Sequence, residues 1–276
     1  MTALAPSLFV SHGSPMFAVQ PGRLGAELSR IGKGLKGLQG VVVVSPHWQT
    51  PSHPLPSIRV SAVEKPETIH DFFGFPPILY ELQYPASGSP EIASLVVQAF
   101  GVAGLSATID TEQGLDHGVW VPLMHLFPDA QIPVIGVSLP LDTTPQMAFE
   151  MGLALACLRE QGIAILGSGS MTHNLSEFRG PQALEASPYV IAFTQWVREA
   201  VIARDAMRLR NYRPQAPSAA RAHPTEEHFL PLFVAFGASG ENDRFDVLET
   251  EVRHGMLSME SYGWGLQGLV AKTNVA

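Results

Sequence analysis

One cysteine in 276 residues, Cys157, excludes an intramolecular disulfide framework and any thiolate-rich metal site. Its surroundings, "MAFEMGLALACLREQG", read as an amphipathic helix, where a free thiol is expected to pack as a small buried hydrophobe. Basic residues are also scarce. Against 25 Asp and Glu stand 17 Lys and Arg, giving a net charge of −8 and no basic stripe for phosphates, so no nucleic-acid partner is expected. No apolar run reaches the roughly 18 residues of a membrane span, and the amino terminus lacks the basic-then-apolar layout of a signal peptide. A cytoplasmic protein with no membrane partner is the expectation. Three catalytic signatures are missing as well: G-x-x-x-x-G-K-[ST], G-x-S-x-G and H-E-x-x-H. "GSGSMTH" has only two of the glycines of a dinucleotide fingerprint.

What is present is ordinary globular composition, 46% hydrophobic and 15% charged, in a chain long enough for one large domain. A single catalytic domain over residues 1–276 is expected. Strand-like runs fall at 7–10, 40–45, 57–63, 105–110, 132–138 and 163–169, several nearly continuous in Val, Ile and Leu, as strands buried on both faces read. Helix-like stretches at 23–38, 89–101, 144–161 and 187–205 alternate with them, and another opens near 224. Three of the helices start at Ser-Pro or Thr-Pro, with the hydroxyl as cap and the proline in the first turn. The alternation predicts an α/β fold, with a central mixed or mostly parallel sheet flanked by helices. Between 64 and 90 runs "EKPETIHDFFGFPPILYELQYPASGSP", rich in proline and aromatics and without period, which reads as a long ordered excursion of the functional kind.

Histidine is the unusual resource, ten residues in all. "SLFVSHG" delivers His12, "GVVVVSPHW" delivers His47 and "IAILGSGSMTH" delivers His173, each at or just past the carboxyl end of a strand. Ligands of open α/β sheets bind at that edge, where side chains distant in sequence converge. His228, at a helix start in "HPTEEHF", is a fourth candidate for the same edge. Neutral imidazoles with open positions suit iron, zinc, copper or nickel. Gly13, Gly167 and Gly169 allow the sharp turns and close approaches such an edge needs. His117 in "GLDHGVW" reads as a pocket residue, His70 in "IHDFFGFP" as structural or supporting, and His223 as evenly balanced between the two. His53, His125 and His254 read as structural. Phe72, Phe73, Phe75, Trp48 and Trp120 are candidate walls of an aromatic pocket.

The segments "SHGSPM", "SPHW", "HDFFGFPPILYELQYPASGSP", "GLDHGVWVPL", "GSGSMTHNL" and "HPTEEHFLPL" resemble the LigB-type (class III) extradiol ring-cleavage dioxygenases, in particular their DOPA-dioxygenase-like branch. The resemblance runs from residue 8 to about 264. It implies cleavage of a small catechol by O2 at a non-haem metal centre to a muconate-type semialdehyde, with Fe(II) expected for activity and Zn(II) as an alternative occupant on isolation. By the same resemblance His12, His47 and His228 match metal ligands. His173 matches a residue that is either a fourth ligand or the active-site acid–base, and His117 a histidine near the substrate. Pro46 stands where the family commonly has Ala, and Ser176 where it commonly has Arg. Glu226 and Glu227 are further candidates to reach the metal. Two alternatives use the same histidines: a zinc-dependent hydrolase, and a metal- or aromatic-ligand-binding protein without turnover. The oligomeric state is not legible.

Overall fold

The computed structural model describes residues 4–51, 58–178, 180 and 185–269. Strands β1 (Ser7–Ser11), β2 (Gly40–Thr50), β3 (Ile58–Ser61), β4 (Ala107–Asp110), β5 (Val134–Pro140), β6 (Ile163–Gly169) and β7 (Phe245–Glu249) are followed by a two-residue pair, β8 (Val252–Arg253) and β9 (Leu257–Ser258), and by β10 (Ser261–Trp264). Eight of them form one sheet in the order β4-β3-β5-β2-β6-β1-β10-β7. Its centre is parallel: β5, β2, β6 and β1 run side by side in one direction. The flanks are not, since β10 pairs antiparallel with both β1 and β7, and β3 antiparallel with β5. The sheet is therefore mixed. The closing strands near the C-terminus escaped the sequence reading because "FDVLE" and "SYGW" are short and lack a continuous apolar run.

Alternation along the central strands builds a core on each face. Val42 and Val44 join Phe9, Ile163 and Ile165 on one side, while Val41 and Val43 join Leu8, Val10, Ala164 and Leu166 on the other. Side chains at successive strand positions point to opposite faces, so a run such as "VVVV" is buried throughout only when both faces are covered. The helices Pro90–Val102, Pro145–Leu155 and Leu230–Ala238 cover the first face; Gly22–Gly34 and His117–Leu126 cover the second. The hydroxyls of Ser89 and Thr144 accept from the N–H groups of Ile92 and Met147, the capping expected from Ser-Pro and Thr-Pro. Ser187 precedes its helix without such a bond.

One expectation needs correction. Helix Pro145–Leu155 tightens into a 3₁₀ turn, Ala156–Gln161, which rotates Cys157 out of the core to the exposed surface. "DHGVWVPLMHL" is helical from His117 to Leu126 despite Pro122, so His117 is the first residue of a helix. No helix among the described residues is long and apolar enough to cross a membrane. His53 lies outside the described residues.

Candidate metal centre

The carboxyl ends of three adjacent parallel strands, β2, β6 and β1, assemble the site. His12 follows β1 directly, and Gly13 turns the chain away at φ +66°, a conformation that glycine adopts without strain. His47 lies inside β2, where the register against β5 shifts between Val44 and Gln49. Pro46 sits in this irregularity and has no N–H for a ladder, so the strand bulges and releases His47 toward the site. His228 precedes helix Leu230–Ala238. Its carbonyl accepts from Ser170 N–H at 2.8 Å, and a Cβ on Gly169 would stand only 2.4 Å from that oxygen, so the approach requires glycine.

Ligand-type nitrogens of His12, His47 and His228 lie within 4.8 Å of one another. Each ring is held from behind. Ser168 Oγ donates its one proton to Gly118 O, so at 3.0 Å it must accept from His12 Nδ1–H. His228 Nδ1 donates to Glu227 Oε1 at 2.9 Å, and His47 Nδ1 stands 3.4 Å from Asp71 Oδ2. With the Nδ1 protons so engaged, Nε2 of each ring carries a bare lone pair. His12 Nε2 and His47 Nε2 face each other at 3.3 Å. Two lone pairs at that distance repel unless a cation lies between them. A metal–nitrogen bond of about 2.1 Å puts neighbouring ligands about 3.0–3.4 Å apart, so the donor set fits a transition metal.

Burial and crowding keep the cluster uncharged. The imidazoles of His12 and His228 are pushed well below their ordinary range, first by burial and then by the neighbouring histidines. His47 falls to about 3 through burial and His117, with Asp71 opposing the shift. Neutral imidazole is the form a metal requires.

Two further groups flank this centre. On one side, His117 donates both its backbone N–H, at 2.8 Å, and Nδ1–H, at 3.0 Å, to the two oxygens of Asp71. Burial would raise the Asp71 carboxyl, but the bonds and charge of His117 outweigh it and hold the group below its usual range. The ring centroids of His117 and His47 are 3.9 Å apart. On the other side, His173 lies four residues past β6, stacked on His228 at 3.6 Å and 7°. A ligand-type nitrogen of His173 falls within 4.8 Å of donors on Glu227 and His228, and the His12, His47, His228 group does not include it. Burial, ahead of the opposing charge of Glu227, lowers the His173 pKa. Glu226 turns away and accepts from Tyr212 Oη at 2.6 Å.

Three further histidines are structural ties, bonded to carbonyls: His70 to Leu82, His125 to Phe17 and His223 to Met171, while His254 packs edge-on against Phe178 at 5.2 Å. His223 is fully buried, and burial takes it to about 3. Of the proposed aromatic walls, Phe72 meets His117 edge-on at 5.6 Å and Phe75 packs on Phe72. Phe73 instead is 91% exposed, Trp120 is buried beneath the excursion with Nε1 donating to Ile69 O, and Trp48 leans on β5 at Gly136. Sequence reasoning missed Asp71 and Asp116. Asp71 lies 46 residues from His117 and was overshadowed by its neighbour His70. Asp116 is buried, accepts from Ser45 Oγ at 2.6 Å and is raised to about 6 by burial.

Comparison with known proteins identifies the family. The family described as the catalytic LigB subunit of aromatic ring-opening dioxygenase matches residues 7–265. A Beta vulgaris protein named 4,5-DOPA dioxygenase extradiol is 37% identical, covering 93% of this chain and 95% of its own. An Escherichia coli K12 protein of the same name is 35% identical, covering 93% of each. The crystal structure of an uncharacterized Escherichia coli K12 protein superimposes with a TM-score of 0.77 at 29% identity, over 94% of this chain and 99% of that one. The chain belongs to the LigB family and is a ring-cleaving dioxygenase.

Proposed function

We propose that this dioxygenase opens a small catechol of the DOPA type beside its hydroxyls, at Fe(II) held by His12, His47 and His228. The observation that supports it best is the facing pair of bare Nε2 atoms at 3.3 Å, each on a ring tied through Nδ1. The names of the relatives supply the substrate class. An iron(II) ion bound there supplies open positions for both catechol oxygens and for O2, and a path for electrons between them. Both atoms of O2 enter the product, so no external reductant is required.

His173 is placed to take a hydroxyl proton as the catechol binds and to return it to the opened ring. A neutral imidazole fits that task near pH 7, and the stacking on His228 fixes its plane. His117 offers Nε2 toward the substrate while Asp71 fixes Nδ1. Phe72, edge-on to His117, shields that side of the ring from water. The three-histidine set also accepts zinc, which makes Zn(II) the competing occupant on isolation.

Anaerobic loading of metal-free protein with Fe(II), followed by a catechol and air, tests the proposal. Stoichiometric O2 uptake with a yellow ring-opened semialdehyde is expected. Ester or amide hydrolysis by the zinc-loaded protein without O2 uptake, or catechol binding without turnover, would overturn it.

A further inference from the structure

The excursion between 64 and 90 is anchored at its base. Glu67 O accepts from Leu115 N–H, Ile69 N–H donates to Leu115 O, and Trp120 Nε1 donates to Ile69 O. Past Ile69 the tip changes character. Phe73 is 91% exposed, Gly74 takes φ +77°, and Pro76, Pro77 and Ile78 are all exposed. Asp71 sits where base gives way to tip, and its carboxylate turns inward. Oδ1 accepts the first N–H of helix His117–Leu126, where the helix dipole favours an anion, and Oδ2 accepts from His117 Nδ1. The same Oδ2 lies 3.4 Å from His47 Nδ1. One carboxylate thus serves two rings that have different duties under the function proposed above.

We propose that Asp71 is a positioning residue that fastens the aromatic tip to the metal centre, so that metal retention at His47 and ordering of residues 71–78 are a single linked equilibrium. This rests on the reading of His12, His47 and His228 as the metal site. A carboxylate behind a ligating imidazole fixes its tautomer and strengthens its lone pair, and losing such a partner typically costs 10–100-fold in metal affinity. Linkage is reciprocal: if docking of the tip favours metal binding, bound metal must favour docking by the same factor. Phe72, carried by the same tip onto His117, then joins the pocket in the metal-loaded form.

Zinc(II) titration against a chromophoric chelator, with chymotrypsin cleavage at the tip phenylalanines as a second readout, tests this on the full chain. Asp71→Asn keeps the size of the side chain but has a single acceptor oxygen and no charge: with that oxygen toward the two rings, its NH2 is left against the N–H of His117. It is expected to weaken zinc binding about 10–100-fold, with Asp71→Glu recovering part of the loss. In the wild-type protein zinc should slow cleavage after Phe72 and Phe73; in Asp71→Asn, saturated with zinc, that protection should be lost. Unchanged zinc affinity in Asp71→Asn, or tip cleavage in the wild type that ignores zinc, would overturn the inference. His12→Ala separates the two claims, because it leaves Asp71 untouched. If His12→Ala binds zinc like the wild type, the metal-site reading fails; if it loses zinc while Asp71→Asn retains it, only the linkage fails.

Discussion

The two flanks of the metal centre pair histidine with carboxylate by different means. At His228 the carboxylate is its neighbour in the chain, Glu227, and the second ring, His173, lies parallel to the first at 3.6 Å. At His47 the carboxylate comes from the excursion, its oxygens are shared with His117, and the two rings are tilted by 45°. The carboxylate of one flank is set by local chain geometry and that of the other by docking of a distant segment. Glu227 therefore stays on its ring wherever the helix start is folded, whereas Asp71 reaches His117 only through a contact across 46 residues.

The largest test of the contrast removes one ring from each flank. His47→Ala is expected to lose metal and activity together, by elemental analysis and O2 uptake. His173→Ala should lower turnover about 10²–10⁴-fold, the usual worth of a general acid–base, while keeping its metal. Loss of metal from His173→Ala would make that residue a ligand and the two flanks equivalent.

Acid comes next. In metal-free protein His47 and His228, one from each flank, are held neutral below the pKa of about 6.5 they have when unfolded. Above that pH neither state binds the protons, and stability is full. As pH falls from about 6.5 toward the folded value of about 3 at His47, the unfolded chain takes up protons that the folded one refuses, and stability drops. Urea titrations across this range should show the pH slope of His47→Gln flattened by about 1.4 kcal/mol per unit. An unchanged slope would mean that His47 titrates normally in the fold.

A smaller effect is expected from Glu227→Gln. The amide oxygen still accepts from His228 Nδ1, and no second ring depends on it as His117 depends on Asp71. Zinc affinity should fall only a few-fold in the chelator titration, corresponding to about 1 kcal/mol. A loss as large as that of Asp71→Asn would erase the distinction between the flanks. The smallest effect belongs to Tyr212→Phe, which removes the bond to Glu226. It should cost about 1 kcal/mol of stability by denaturant unfolding and leave zinc affinity unchanged. Altered zinc binding there would place Glu226 in the site after all.

The same contrast explains what the sequence made legible. Strand-end grammar, an apolar run followed by Ser or Gly and then His, placed His12, His47 and His173 on one edge, because the parallel centre of the sheet aligns its strand ends. Glu227 could be noticed beside His228 for the same reason of proximity. Asp71 could not, since its partner opens a helix that "DHGVWVPLMHL" concealed behind Pro122. Local pattern likewise chose His70 over Asp71 and put Phe73 in the pocket wall. The direction of each side chain in an aperiodic segment is set by docking, which has no period to read. The antiparallel strands β7 and β10 were missed because their short runs carry little signal apart from the neighbours they pair with.

Cys157 carries a practical consequence. It is the sole thiol of the chain, it is exposed, and it lies just before β6 begins, at the end of that strand opposite the histidines. Seven strand residues, about 23 Å, separate that end from the carboxyl edge. A fluorophore or spin label attached through maleimide would therefore occupy one known position, too far away to ligate the metal and near enough for a paramagnetic ion bound there to report its arrival by quenching or relaxation.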